Sequence, residues 1–248
     1  MLLAVDIGNT NISLGVFRGK HLLRRYALPT KSETYLSQLR KVFTKNKIDD
    51  AVICSVVPFA TIKIAKDLRK LSGKRPQIIG RDINIPIKNL YRNPRQVGQD
   101  RLVNAFAGIS FFGAPLIVVD FGTAVTLDVV SRNKEYLGGL ILPGLEISLD
   151  CLAERAALLP QIKLSRPREL IGRDTKNSML SGVIYGFACL ADCLIERIKP
   201  KIGKNAQVAG TGGNIHLMEQ YCQNIDKIDS DLTIKGLNLL YNNLKPII

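Results

Sequence analysis

Short apolar runs alternate along this chain with longer stretches in which apolar residues recur every third or fourth position, and that alternation predicts an α/β architecture. Residues 2–5 read as a short apolar strand and 11–17 as a second. After a turn at Arg18, Gly19 and Lys20, residues 21–27 read as a third. Ser32 is the expected N-cap of a helix running to about Lys45, with Leu36, Leu39, Val42 and Phe43 at helical spacing. A buried strand over 50–55, an amphipathic helix over 60–71 ending at Gly73, and a short strand over 77–79 follow. Residues 81–97, rich in Asn, Pro and Arg, read as irregular. A helix opens at 98–101 and runs to about 112, and 116–119 is a strand. Then come a strand at 124–130, a turn at Arg132, Asn133 and Lys134, a strand at 136–140 and a helix around 146–155. A long helix over 177–199, a strand over 207–209, a Gly-rich loop and two shorter helices with a strand between them complete the pattern.

That order of elements contains a repeat. Val5-Asp6-Ile7-Gly8 returns as Val119-Asp120-Phe121-Gly122, each copy a strand, an Asp-x-Gly turn, a strand, then a third strand and helices. We therefore expect two duplicated α/β halves, residues 1–112 and 113–248 of the 248-residue chain, with a ligand cleft between them. The uncharged run from 102 to 119 approaches the length of a membrane span. Gly113, Ala114 and Pro115 break it, so a buried helix, a turn and a buried strand are the better reading. The N-terminal apolar run meets Asp6 at once and lacks the basic start of a signal peptide. The expectation is a cytoplasmic protein with no membrane partner.

Composition narrows this only a little. A hydrophobic fraction of 46% and a charged fraction of 23% exclude disordered, collagenous and fibrous classes. The net charge of +14 favours anionic partners, whether macromolecules or small phosphorylated or carboxylated molecules. The basic residues are dispersed, with clusters over 63–75 and 199–204 and no interleaved aromatics. We read them as solvated helix faces, which disfavours nucleic acid. Five cysteines with no Cys-x-x-Cys pair, and only His21 and His216, lack zinc spacing. Cys189 and Cys193 share a helix face and are expected to be small buried side chains.

The candidate chemistry sits in the turns. Gly8 permits a tight turn with close backbone approach, and Asn9, Thr10 and Asn11 place polar side chains beside it. Such a turn suits a cluster of phosphate oxygens, and Asp6 at the strand end could hold Mg²⁺ directly or through its waters. It also suits an ordinary hairpin turn. Asp120, Gly122 and Thr123 form the second copy. Gly210-Thr211-Gly212-Gly213-Asn214 follows a strand and precedes a helix, where glycines let backbone lie against a planar ligand or a phosphate, or where Asn214 simply caps a helix. No Walker A sequence is present, which excludes a P-loop fold. Asp100 could accept a proton from an alcohol and Arg101 could pair with a carboxylate or phosphate; equally, Asp100 stands where a helix wants an N-cap.

The three turns, in this order, resemble the actin, sugar kinase and Hsp70 type of ATP-binding fold. Asp6-Ile7-Gly8-Asn9-Thr10, Gly98-Gln99-Asp100-Arg101, Asp120-Phe121-Gly122-Thr123-Ala124, Gly138-Gly139 with Pro143-Gly144, and Thr175 ahead of Ser181-Gly182 together resemble the type III pantothenate kinases. The resemblance implies two duplicated ribonuclease H-like halves, each a mixed five-stranded sheet with helices. It implies a phosphotransferase that uses ATP to phosphorylate pantothenate at the first step of coenzyme A biosynthesis. By position, Asp6, Ile7, Gly8, Asn9, Thr10, Asn11, Ile12 and Ser13 would form the ATP phosphate loop, with Thr123 also touching ATP. Tyr91, Gly98, Gln99, Asp100, Arg101 and Thr175 would hold pantothenate, with Asp100 as proton acceptor. Asp120 would bind a monovalent cation, K⁺ or NH₄⁺, while Mg²⁺ accompanies ATP near Asp6. Asp174 stands where the family commonly has a neutral Asn, which adds negative charge near an anionic substrate. Gly182 and Gly186 on the long helix, four residues apart, allow close approach of another backbone, and the resemblance implies a homodimer through that helix. The alternatives are a kinase of another small hydroxy acid, or a non-catalytic regulator on the same fold that binds nucleic acid or protein.

Overall fold

The computed structural model describes residues 1–32 and 34–243. In chain order the elements are β1 (Leu2–Ile7), β2 (Asn11–Arg18), β3 (His21–Pro29), α1 (Tyr35–Lys45), β4 (Asp50–Ser55), α2 (Pro58–Ser72), β5 (Gln77–Ile78) and β6 (Lys88–Asn89). A 3₁₀ turn at Pro94–Gln96 leads to α3 (Gln99–Phe112), β7 (Leu116–Phe121), β8 (Ala124–Val130), β9 (Glu135–Pro143), α4 (Leu145–Arg155) and α5 (Thr175–Ile202). The chain ends with β10 (Gln207–Thr211), α6 (Ile215–Met218), β11 (Lys227–Ile228) and α7 (Leu232–Asn243). Two compact units emerge, and they interleave in sequence. The first holds Met1–Ile87, Arg92–Ala107 and the chain from Leu232 on; the second holds Lys88–Tyr91 and Gly108–Asp231.

In the first unit the strand order is β3-β2-β1-β4-β5. β1 runs antiparallel to β2 and parallel to β4. Alternation along β1 sends Leu3, Val5 and Ile7 to one face, where Leu39 of α1 and Ile64 and Leu68 of α2 cover them. Leu2 and Ala4 point to the other face, against Val103 of α3 and Ile234, Leu237 and Leu240 of α7. The last helix joins this unit because its apolar stripe fits there. A Cβ on Gly236 would stand 2.8 Å from Val103 and 2.9 Å from that of Ala107, so α3 and α7 cross as closely as they do only over a bare backbone.

In the second unit the order is β11-β10-β7-β8-β9-β6. Five of those strands repeat the first sheet: a meander (β7, β8, β9) with β10 and β11 added in parallel beside its first strand. The expected duplication is therefore present, with one correction. The second sheet has six strands rather than five, because Lys88 and Asn89, read as irregular, pair parallel to Glu135 and Tyr136 at its edge. Two residues are too few for a periodic signal, and this pairing depends on a partner far along the chain. Ile117, Val119 and Phe121 bury against Leu145 and Leu149 of α4 and Leu180, Ile184, Ala188 and Ile195 of α5.

Three local expectations also change. α1 begins at Tyr35 after Thr34, while the Ser32 hydroxyl accepts a hydrogen bond from the Thr34 N–H (3.2 Å). α5 begins at Thr175, two residues earlier than the apolar pattern indicates, because its polar first turn is closed by Asp174. Cys189 and Cys193 are exposed, not buried; only their shared helix face was legible, and that face looks outward.

Candidate functional site

The expected site residues fall in both units, and each set is built locally. In the first unit Asp6 is the next-to-last residue of β1, in register with Ser13 of β2 and Cys54 of β4. The chain then turns: the Gly8 N–H donates to the Asn11 carbonyl (3.0 Å), and Asn9, Thr10 and Asn11 stand in solvent. Thr30 holds this turn from outside, its hydroxyl donating to the Gly8 carbonyl (2.7 Å) and its N–H to the Thr10 carbonyl (2.9 Å). The Tyr35 hydroxyl in turn donates to the Thr30 carbonyl. A polar turn fixed at its base and open at its tip can present backbone and side-chain donors to phosphate oxygens.

Asp100 and Arg101 open α3. The helix begins at Gln99, so Asp100 is its second residue and not its N-cap. Its carboxylate accepts from the Arg101 N–H (2.9 Å). Gly98 leaves room for it: an added Cβ there would fall on an Asp100 oxygen. Burial pushes the Asp100 carboxyl above its ordinary value, with the Arg101 charge and backbone N–H groups opposing. Arg101 itself is only 8% exposed. Gln99 folds against Gly80, where φ is +79° and an added Cβ would stand 2.8 Å from the amide. Cys54, which sequence reasoning passed over, ties the two carboxylates together. It is fully buried, and its thiol is pushed well up by burial and then by the negative charges of Asp6 and Asp100. The pair Asp6 and Asp100 thus share one neighbourhood at the carboxyl ends of β1 and β4.

The second unit repeats the first turn. Asp120 is the next-to-last residue of β7, in register with Thr126 and Thr211, and the Gly122 N–H donates to the Ala124 carbonyl (3.2 Å), as Gly8 does to Asn11. Thr123 is exposed at the tip. Two glycines brace this turn. A Cβ on Gly144 would stand 2.7 Å from the Thr123 carbonyl carbon, and one on Gly212, whose φ is +95°, 2.6 Å from the Phe121 carbonyl carbon. The Asn214 N–H donates to the Phe121 carbonyl (3.0 Å), so the Gly-rich loop lies on the second turn. Asn214 precedes a helix of one turn and makes no side-chain cap. Gly213 faces open space and remains available to a ligand.

Tyr91 follows β6, its N–H held by the Asn89 side chain (2.9 Å), and its ring lies over Gly138, where a Cβ would come within 3.3 Å. Thr175 is the exposed first residue of α5. Asp174 is the helix cap: it accepts from the Asn177 N–H (2.8 Å) and amide (2.6 Å), which hold its carboxyl below the ordinary range. The Asp174 charge is therefore committed to the helix start. Among the described residues no three His, Cys, Asp or Glu side chains gather as a metal centre.

Comparison with known proteins shows the family and the fold. The family described as type III pantothenate kinase matches residues 2–197. The chain is 39% identical to the type III pantothenate kinase of Halalkalibacterium halodurans over 250 aligned positions, covering 97% of this chain and 98% of that one. Among solved structures it is similar to a conserved Campylobacter jejuni protein assigned to the Baf family of transcriptional activators (TM-score 0.60, 20% identity, 97% and 98% of the two chains). It is also similar to the activator of 2-hydroxyisocaproyl-CoA dehydratase from Clostridium difficile, solved with ADPNP bound (TM-score 0.58, 12% identity, 100% and 99%). At such identities the structural likenesses bear on fold alone, and the fold is that of the actin-like ATPases and sugar kinases.

Proposed function

The chain belongs to the type III pantothenate kinase family, and on that premise we propose that it transfers the γ-phosphoryl group of ATP to the primary hydroxyl of pantothenate, giving 4′-phosphopantothenate at the first step of coenzyme A biosynthesis. The observation that carries the reading is Asp100. A carboxylate half-buried in the first turn of a helix, raised in pKa by that burial and not used as a cap, is suited to take a proton from an attacking alcohol. Arg101, buried beside it, suits the substrate carboxylate. Gly98, Gln99, Tyr91 and Thr175 complete the pantothenate contacts in this reading.

The residues from Asp6 to Ser13 bind the triphosphate through the braced turn, and Thr123 adds a hydroxyl from the second copy. Phosphoryl transfer of this kind is catalysed mainly by positioning and charge stabilisation. A kinase uses ATP with a divalent metal; Mg²⁺ near Asp6 would neutralise phosphate charge and keep several of its waters. Asp120 holds K⁺ or NH₄⁺, with the backbone of Gly122 and Gly212 close by. The working form is a cytoplasmic homodimer built on α5, whose Gly182 and Gly186 have open space in front of them.

A coupled assay with Mg²⁺-ATP and pantothenate tests the proposal. Formation of ADP and phosphopantothenate is expected. Turnover of a different hydroxy acid without pantothenate turnover would overturn the acceptor assignment.

A further inference from the structure

The first unit carries a surface that the kinase reading does not use. α2 turns Ala60, Ile64 and Leu68 into the core. Its solvent side holds Phe59, Ile62, Lys63, Lys66, Arg69 and Lys70, all exposed. At 3.6 residues per turn these six fall within an arc of about 120° on one side of the helix. Asp67, the helix's one acid, lies outside that arc and is half-buried. None of the four cations forms an ion pair among the described residues. α1 packs beside α2 over the same sheet face and adds exposed Arg40 and Lys41.

A cationic stripe alone is a solvated helix face, which is how the 63–75 cluster reads in sequence. Two apolar side chains change that. Phe59 is 68% exposed and Ile62 70%, both inside the stripe. The Lys63 ammonium sits 4.4 Å from the centre of the Phe59 ring, a charge directly above an apolar group. Lipid headgroups offer phosphate for the cations and, a few ångströms deeper, acyl carbon for Phe59 and Ile62. A nucleic acid would satisfy the cations and could stack on Phe59, but offers nothing to Ile62. We propose that the α1–α2 face of the first unit is a docking surface for anionic lipid, binding peripherally with Phe59 and Ile62 entering the headgroup region.

The test is co-sedimentation of the full chain with vesicles of phosphatidylcholine alone, or of two parts phosphatidylcholine to one of phosphatidylglycerol. Binding to the anionic vesicles only, weakening with salt, is expected. Each cation near such a surface contributes on the order of fivefold to partitioning, so Lys63→Glu with Lys66→Glu should reduce it by roughly 25-fold or more. Phe59→Ser with Ile62→Ser should reduce it while the salt dependence stays. These side chains lie outside the core, and circular dichroism of both variants should match the parent. No partitioning to anionic vesicles at low salt overturns the proposal. So does unchanged partitioning of either double variant. Equal affinity for duplex DNA and vesicles, with the Phe59 and Ile62 substitutions silent, would make the face a general polyanion site and overturn the lipid assignment.

Discussion

At the scale of single residues the outcome turns on where charge is buried and where backbone must stay bare. Asp100 was ambiguous in sequence because Asp is both a good helix cap and a good base. The helix start at Gln99 removes the first role. If Asp100 is the base, Asp100→Asn should lower kcat by roughly 10²- to 10⁴-fold with the fold intact. The base must be ionised to act, and burial raises its pKa. The acid limb of kcat/KM should therefore lie above the ordinary aspartate range, so that activity is lost as pH falls through the raised value; a limb at the ordinary value would separate Asp100 from the chemistry. Gly144 offers a second test. A methyl there meets the carbonyl group of Thr123, and backbone cannot swing aside as a flexible side chain can. Gly144→Ala should cost about 1–3 kcal/mol in denaturant unfolding and raise the KM for ATP, provided Thr123 touches the nucleotide.

At the scale of elements, α5 is the informative case. It is long and apolar enough by length and composition to cross a membrane, yet its inner face is the core of the second unit. Its other side shows Gly182, Gly186, Cys189 and Cys193 to solvent. A row of small side chains lets a second helix approach until backbones nearly touch. Gly186→Leu fills open space and should leave the monomer fold unchanged while weakening self-association. Light scattering at micromolar concentration should give a dimer for the parent and a larger monomer fraction for the variant. A parent that is already monomeric would remove the homodimer from the proposal.

At the scale of the whole molecule, duplication gives two Asp-x-Gly turns where one Mg²⁺ on a triphosphate needs only one or two carboxylates. If Asp120 faces the triphosphate, as the proposed function has it, its carboxylate would repel phosphate unless a cation neutralised it. Rates should rise when K⁺ replaces Na⁺ at fixed ionic strength, which separates a specific site from screening. Asp120→Asn should lose most of the activity and the K⁺ response with it; equal rates in the two buffers would leave Asp120 another task, most simply a share in holding Mg²⁺. Much of this molecule was legible beforehand. The strand and helix periods, the repeat of Val5-Asp6-Ile7-Gly8 at Val119, and the turn glycines are local signals, because pleat, helical face and tight-turn conformation are decided within a few residues. What tertiary structure alone decided depends on partners distant in sequence. The two-residue strand at Lys88 exists only because β9 offers an edge. The last helix belongs to the first unit because Gly236 fits under Val103. Asp6 and Asp100 become neighbours only around Cys54, and the outward turn of Cys189 and Cys193 follows from which side of α5 the second sheet covers. Periodicity defines faces; burial assigns them, since it is the sum of contacts that no short window of sequence contains.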